Sequence, residues 1–428
     1  MHGMADKITI FGAGYVGLVS GACLAHSGHD VTLLETDEGK LDSLRRGVSP
    51  IFEPGAEDLI AEGVAAGRLR FLHPDEAGPL GGILVIAVGT PTTTTGAADL
   101  TAVRTVVDRI ASAAEPGAIV AMKSTVPAGT GVRLAEKLRG YGCEYVSNPE
   151  FLREGSAVQD WYHTDRIVLG GTPVALERMK ALYADIDAPV LTCDITSAEM
   201  IKYASNAFLA TKISFINEIA SICDFLGAQV DDVAAGIGMD ARIGKDFLRA
   251  GIGWGGSCFP KDTRALDFIA TINGYDFHLL RAVIEVNARQ RVLPVRALKS
   301  ELGELEGKRV AVLGLTFKPE TDDTREAPAL EIIPLLAAEG AEVVGYNPMT
   351  LGGDDYAGVR VCPTLDEAVA CAEAVVITTE WPEIRDADWT ALIATMAGRR
   401  LVYDGRNCLD PGRVRDAGGT YLGVGRPQ

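Results

Sequence analysis

The segment Gly251-Ile252-Gly253-Trp254-Gly255-Gly256-Ser257-Cys258-Phe259-Pro260-Lys261-Asp262 carries the densest chemistry in the chain. Four of its first six residues are glycine, giving a loop whose backbone can wrap a ligand. Pro260 and the helical run from Thr263 onward set Cys258 at a helix N-terminus, where the dipole favours thiolate over thiol. Such a cysteine is a nucleophile. Asp262, about one turn further on, can face the same side of that helix. Cys23, Cys143, Cys193, Cys223, Cys362, Cys371 and Cys408 lack such surroundings and read as small buried hydrophobes.

A second constellation is Lys202 with Asn206, spaced i, i+4 and so on one face of a predicted long helix that is otherwise apolar. A partly desolvated lysine has a lowered pKa and can take or lend a proton at an alcohol that loses hydride, while an amide can hold water or a hydroxyl. Upstream, Asn148-Pro149-Glu150-Phe151-Leu152-Arg153-Glu154-Gly155 follows a predicted strand and puts Glu150 and Glu154 at its carboxyl end. A carboxylate there can serve as general base toward water, or simply as a helix N-terminal charge.

The third constellation binds a cofactor. Strand Ile8 to Phe11 runs into Gly12-Ala13-Gly14-Tyr15-Val16-Gly17 and then a helix, and Glu35 closes the next strand. Gly12 allows the tight turn, Gly14 lets the backbone approach a pyrophosphate, and Gly17 lets helix and strand pack closely. Glu35 can accept from the adenosine ribose hydroxyls and would repel a 2′-phosphate, so NAD is favoured over NADP. Lys40 is either a pyrophosphate or ribose contact or a solvated lysine. Gly89-Thr90-Pro91 and Ser124-Thr125-Val126-Pro127 each follow an apolar strand, at the sheet end where ligands of this fold bind, and are expected to line the nicotinamide side.

An alcohol dehydrogenase that stops at the carbonyl needs a base but no cysteine. Oxidation of an aldehyde to an acid is eased by a thiohemiacetal that can lose a second hydride to give a thioester. A lysine and a thiol together with NAD therefore point to a four-electron enzyme, taking a primary alcohol through the aldehyde to the acid.

These groups need a scaffold. The 428 residues suggest about three domains, and 47% hydrophobic against 23% charged residues can fill several cores. Short β-branched runs alternate with helical patterns at Lys7–Phe11, Asp30–Leu34, Ile83–Val88, Ala118–Lys123 and Glu144–Ser147, the signature of a parallel sheet covered by helices. One long helix follows, Ser197–Leu226, apolar on more than one face and so buried between elements or between subunits. A second strand series comprises Arg309–Leu313, Ala341–Tyr346, Ala374–Thr378 and Arg400–Tyr403. The expected fold class is α/β, with two Rossmann-like, doubly wound parallel-sheet domains at 1–195 and 306–428 joined by a helical region at 196–300.

A net charge of −18 argues against nucleic acid as a partner, so any phosphate must be held locally. The scattered cysteines argue against a disulfide framework or structural zinc site and fit a reducing cytoplasm; no metal is expected. Ile8–His29 lacks Asp, Glu, Lys and Arg, but its glycines and the missing basic n-region mark it as part of the nucleotide fold rather than a signal or membrane span.

The glycine fingerprint, the Asn148–Gly155 block, Lys202 with Asn206, the Gly255–Asp262 block, and Phe317-Lys318-Pro319 followed by Asp323-Thr324-Arg325-Glu326 resemble, in order and over nearly the whole chain, the UDP-glucose/GDP-mannose dehydrogenase family. The resemblance implies an N-terminal NAD domain, a central dimerisation region, a C-terminal UDP-binding domain, and oxidation of UDP-glucose to UDP-glucuronate in a homodimer or higher oligomer. It implies Cys258 as nucleophile. Lys202, Asn206 and Asp262 would form the network that deprotonates the alcohol through a water positioned by Thr125, and Glu150, with Glu154 as second candidate, would assist thioester hydrolysis. It further implies Lys261 beside the cofactor, and Phe151, Leu152, Phe247, Leu248, Gly255, Phe317, Lys318 and Arg406 around the nucleotide sugar. Arg242 matches an arginine that reaches the partner subunit's substrate.

The C-terminal assignment has its own support, because Arg309–Gly314 leads into Leu315-Thr316-Phe317-Lys318 rather than a second GxGxxG, a turn suited to one nucleotide diphosphate. Glu35 stands where an aspartate is more usual, Trp254 fills a slot that more often holds another residue, and Asn347 stands where an aspartate is common. Phe259-Pro260 and Phe317-Lys318-Pro319 lean toward UDP-glucose over GDP-mannose. A catalytically idle nucleotide-sugar sensor would be expected to lack Cys258 or Lys202, and a two-electron hydroxyacid dehydrogenase leaves the cysteine loop unexplained.

Overall fold

The computed structural model describes residues 5–349 and 355–427. The chain packs as two compact units, residues 1–205 with 264–273, and residues 206–263 with 274–428.

The first unit is built on eight strands: β1 (Lys7–Phe11), β2 (Asp30–Leu34), β3 (Leu69–Leu72), β4 (Ile83–Ile86), β5 (Ile119–Met122), β6 (Glu144–Ser147), β7 (Ile167–Gly171) and β8 (Val190–Cys193), in the order β3-β2-β1-β4-β5-β6-β7-β8. From β3 to β6 every pair is parallel. The interior strands are apolar on both faces because helices cover both: Ile8, Ile10, Val31 and Leu33 face one core, and Leu84, Ile86, Val120 and Met122 the other. The expected strands are present within a residue or two. β3, β7 and β8 are additional, and β7 departs from the all-parallel expectation, pairing antiparallel to β6 through Val146 with Gly171 and Ser147 with Gly170. β8, Val190-Leu191-Thr192-Cys193, is largely exposed although its first two residues are apolar.

The long helix spans Ile195–Leu226 and is followed by Val230–Gly238, Phe259–Ile272, His278–Gln290 and Leu293–Leu302. Within the second unit it buries Ile216, Asn217, Ala220 and Cys223, whereas Phe208, Phe215 and Ile222, at seven-residue intervals, are 65%, 51% and 48% exposed. The expectation of a helix apolar on more than one face holds, but one of those apolar faces is solvent-facing in the single chain.

The second unit's sheet comprises β9 (Arg309–Leu313), β10 (Glu342–Tyr346), β13 (Ala374–Ile377), β14 (Leu401–Asp404) and β15 (Thr420–Gly423), all parallel in the order β10-β9-β13-β14-β15; β11 (Asp355–Tyr356) and β12 (Val359–Arg360) form a separate hairpin. Val310 and Val312 face one core and Ala311 and Leu313 the other, so this sheet too is doubly covered.

Candidate active site

The first unit carries a dinucleotide cradle. Gly12 follows β1 with φ +98°, a backbone conformation open to glycine. A Cβ on Gly17 would lie 2.0 Å from the Gly12 carbonyl oxygen, so helix Tyr15–His26 can cross β1 only with glycine there. Gly14 differs. Its φ of −74° suits any residue and a Cβ would meet nothing within 4 Å, so neither backbone nor packing explains it; a ligand that must touch the backbone does. The helix start has no side-chain cap and no acidic residue in its first turn, leaving its N–H groups for an anion. Glu35, directly after β2, accepts from Ala13 N–H at 3.2 Å, Thr36 N–H at 2.7 Å and Asp37 N–H at 3.0 Å, which fixes a carboxylate beside the glycine turn. Val16 packs on the core, while the Lys40 side chain is exposed.

The carboxyl ends of β4, β5 and β6 converge as the parallel order dictates. The Thr90 hydroxyl donates to the Thr125 carbonyl at 2.9 Å and Ser124 to the Val88 carbonyl at 2.7 Å, tying the two expected turns together, with Pro91 exposed at the rim. Past β6, Glu150 is buried and its Oε1 accepts from Lys202 Nζ at 2.8 Å, while Oε2 accepts from Leu152 N–H at 2.7 Å. Burial alone would raise the Glu150 pKa; the Lys202 charge and hydrogen bond, the Leu152 amide and the Lys123 charge outweigh it and hold the carboxyl below its ordinary value. Phe151 sits under two cations, with the Arg166 guanidinium 3.9 Å and the Lys202 ammonium 5.3 Å from its ring centre. Glu154 is half-buried. The adjoining Gly155 N–H donates to Tyr15 Oη and Glu53 Oε2, both at 2.7 Å, so Tyr15 links the glycine fingerprint to the Asn148–Gly155 block.

In the second unit, Asp262 N–H donates to the Cys258 carbonyl at 2.9 Å and helix Phe259–Ile272 begins at the next residue, so the thiol stands at a helix N-terminus as its sequence implies. Cys258 is partly exposed, with its Sγ 3.6 Å from Ser257 Oγ. Asp262 is buried, accepts from Asn206 Nδ2 at 2.6 Å, and pairs with Lys261. Lys202 and Asn206 thus stand one turn apart on one helix, and each holds a buried carboxylate.

The glycine loop is fastened from several sides. Asn217 Oδ1 accepts from Gly251 N–H at 2.8 Å, Asn287 Oδ1 from Trp254 N–H at 2.7 Å, and buried Arg291 donates to the carbonyls of Ile252 and Trp254. Arg406 donates to the Thr378 carbonyl at 2.8 Å and the Gly253 carbonyl at 3.1 Å. A Cβ on Gly255 would sit 2.0 Å from the Glu326 carbonyl oxygen. The glycines expected to wrap a ligand are therefore required first by the protein's own packing. Phe247, held at φ 62°, lies 6.2 Å from the Phe259 ring, a left-handed backbone costing about 1–3 kcal/mol for a bulky residue. Leu248 lies in the core, so its side chain serves packing. Lys318 stacks 5.5 Å from the Phe317 ring, and Arg242 is exposed, paired with Asp240.

Sequence reasoning missed Lys123, Glu53, Asn217, Asn287 and Arg291, all buried. The signal was faint: Asn217 interrupts an apolar helix as Lys202 does, whereas Lys123 closes a strand and looks like any strand-end lysine.

A Rossmann cradle with an uncapped helix N-terminus and an acidic strand end is the mark of an NAD-dependent oxidoreductase, and the second unit adds a partly exposed thiol at a helix N-terminus. The comparisons narrow this. The family models for the UDP-glucose/GDP-mannose dehydrogenase NAD-binding, central and UDP-binding domains match residues 6–187, 196–289 and 311–411, and the chain belongs to that family. It is 46% identical to UDP-glucose 6-dehydrogenase TuaD of Bacillus subtilis (strain 168), over 98% of this chain and 93% of that protein. It is 45% identical to a UDP-glucose 6-dehydrogenase of Rhizobium meliloti, over 98% of this chain and 100% of that one. Among solved structures it resembles a UDP-glucose dehydrogenase of Pyrobaculum islandicum, with TM-score 0.88 and 35% identity over 98% of each chain. A GDP-mannose dehydrogenase structure from Pseudomonas aeruginosa has TM-score 0.53 at 28% identity over 97% of this chain and 99% of that one. No described helix is long and apolar enough to cross a membrane, and no described cluster of His, Cys, Asp and Glu could hold a metal.

Proposed function

We propose that the enzyme oxidises UDP-glucose to UDP-glucuronate in two NAD-dependent steps on one sugar. The observation that carries this is Cys258 at the start of its helix beside the buried Asn206–Asp262 hydrogen bond, because a two-electron dehydrogenase needs no thiol. NAD, held by the Gly12–Gly17 turn and Glu35, supplies hydride acceptance.

The protein's residues do the rest. In the first oxidation the C6 hydroxyl gives its proton to a water that Thr125 positions and C6 loses its first hydride, while Lys202, Asn206 and Asp262 form the polar network that draws off the proton and stabilises negative charge on the sugar oxygen. Cys258 then adds to the aldehyde carbon as the carbonyl π bond breaks and its oxygen takes up the thiol's proton, giving a thiohemiacetal; loss of a second hydride from that carbon and of the hydroxyl proton restores the carbonyl and leaves a thioester. Water attacks the thioester carbon and gives its proton to Glu150, the carbon–sulfur bond breaks, and the thiolate returns to Cys258. Glu150 is taken as this base, with Glu154 as the second candidate; what supports Glu150 is its buried carboxylate, held by the Lys202 ammonium at 2.8 Å and the Leu152 amide at 2.7 Å. Lys261 adds a cofactor contact, and Phe151, Leu152, Arg242, Phe247, Gly255, Phe317, Lys318 and Arg406, with Leu248 through its main chain, make up the UDP-sugar contacts.

Residues 1–195, 196–300 and 306–428 serve as NAD-binding, dimerisation and UDP-binding regions. The exposed row Phe208, Phe215 and Ile222 supports a homodimer through the long helix. The cysteine usage fits a reducing cytoplasm. The test is NADH yield with limiting sugar and excess NAD. Two NADH per UDP-glucose and little from GDP-mannose is expected; one NADH, or a preference for GDP-mannose, overturns the proposal.

A further inference from the structure

Lys123 directly follows β5 and is buried, 6% exposed, yet its ammonium makes no hydrogen bond or ion pair with any described residue. Two aromatic rings hold it instead, Trp161 at 5.3 Å and Tyr183 at 5.8 Å from ring centre to Nζ. It opens into a cavity that Glu150 also lines, with Phe151, Asp160, Arg166 and Tyr183 on the other walls. The cage is selective, since aromatic faces attract a cation without taking its protons. A buried lysine is costly unless its charge has work to do.

The charged groups facing the cavity are few. Asp160, on helix Ala157–Tyr162, is neutralised by Arg153, whose backbone N–H and guanidinium both reach it. Arg166, preceding β7, is stacked on Phe151 and donates to Ser205. Tyr183 donates to Asn148, and burial pushes its hydroxyl far above its ordinary value, so it stays neutral. Of the charged groups lining the cavity Glu150 remains, paired with Lys202 at 2.8 Å, so Lys123 bears chiefly on that pair.

We infer that Lys123 is a positioning residue for thioester hydrolysis: a second buried cation that, with Lys202, keeps Glu150 a carboxylate so that it can accept the proton of the attacking water. The inference rests on the proposed role of Glu150. In hydrolysis the water proton goes to Glu150, hydroxide oxygen bonds to the thioester carbon, and the electron pair of the broken carbon–sulfur bond leaves on Cys258. With Lys202 alone, the desolvation that raises Glu150 is opposed by one charge instead of two, and protonated Glu150 cannot be the base. Burial and Lys202 bring Lys123 itself down to about 8, against the opposing pull of Glu150, so its support fades in mildly alkaline solution.

The test follows thioester decay by acid quench and intact mass from about pH 5 to 9 in wild type, Lys123→Met and Lys123→Arg. Methionine fits an aromatic cage without charge, and arginine restores it. The acid limb of hydrolysis is expected to move up by about one pH unit in Lys123→Met, with rates above the limb within about threefold of wild type, and to return toward wild type in Lys123→Arg. A rate loss uniform across pH, or a limb that does not move, overturns the role. Titration of the Glu150 carboxyl by carbon-13 NMR without substrate, assigned with Glu150→Gln, separates the two readings. An upward move in Lys123→Met supports the charge relation and an unmoved titration overturns it. No acyl-enzyme in wild type overturns the proposed function and the hydrolytic role together.

Discussion

The Lys202 ammonium donates to Glu150 Oε1 at 2.8 Å with both side chains almost wholly buried, at 5% and 7% exposure. Removing one partner leaves the other charged and desolvated, which typically costs about 3–5 kcal/mol. Lys202→Met is therefore expected to lower the urea midpoint substantially and to abolish turnover, measured by denaturation and NADH production.

The same pair sets a pH dependence. The Glu150 carboxyl lies below its ordinary 4.5 in the folded chain, so its stabilisation is fully present above 4.5 and is lost as pH falls through the lowered value. Glu150→Gln is expected to be less stable at pH 7 and to lose less stability on acidification. Thermal melts from pH 7 to 3 check this, and parallel curves would refute it.

Gly14 and Gly17 separate ligand approach from packing. Gly14→Ala meets no protein atom and should leave stability within about 0.5 kcal/mol, while raising the KM for NAD at least about tenfold because the methyl occupies the pyrophosphate approach. Gly17→Ala drives a Cβ to 2.0 Å from the Gly12 carbonyl and should destabilise by about 1–3 kcal/mol. Melts paired with NAD titration distinguish them.

Cys258→Ser should still bind nucleotide sugar and NAD but release no acid, with at most a slow first oxidation, since an alcohol is a poorer nucleophile and leaving group than a thiolate. Undiminished turnover in a stoichiometric NADH assay would sink the thiohemiacetal scheme.

Glu35→Ala removes a carboxylate fixed by three backbone amides. The kcat/KM for NAD should fall about tenfold, the worth of a hydrogen bond to a charged group, while that for NADP rises as the repulsion of the 2′-phosphate disappears. Steady-state kinetics with both cofactors decides it.

Local signals made much of this legible. The glycine fingerprint, the strand-closing Glu35 and the position of Cys258 before a Pro-containing helix start are encoded within about thirty residues each, because turn geometry, helix capping and pleat alternation are short-range physics. The central strands announced themselves because a strand buried on both faces must be apolar throughout. β8 is apolar at Val190 and Leu191 yet largely exposed, so an apolar run there does not report burial, and the reversal at β7 left no mark, since strand direction is set by which edge the chain returns to.

Sequence by itself thus determined the chemistry on offer: a thiol at a helix start, a lysine and an amide one turn apart, and a dinucleotide turn. Only the tertiary structure decided their partners. Lys202 found Glu150 across 52 positions of chain and Asn206 found Asp262 across 56, while Lys123 came to rest in a cage of two rings. Those pairings turn on burial and on the exclusion of water, which make a charge seek its counterpart, and burial is a property of the folded whole.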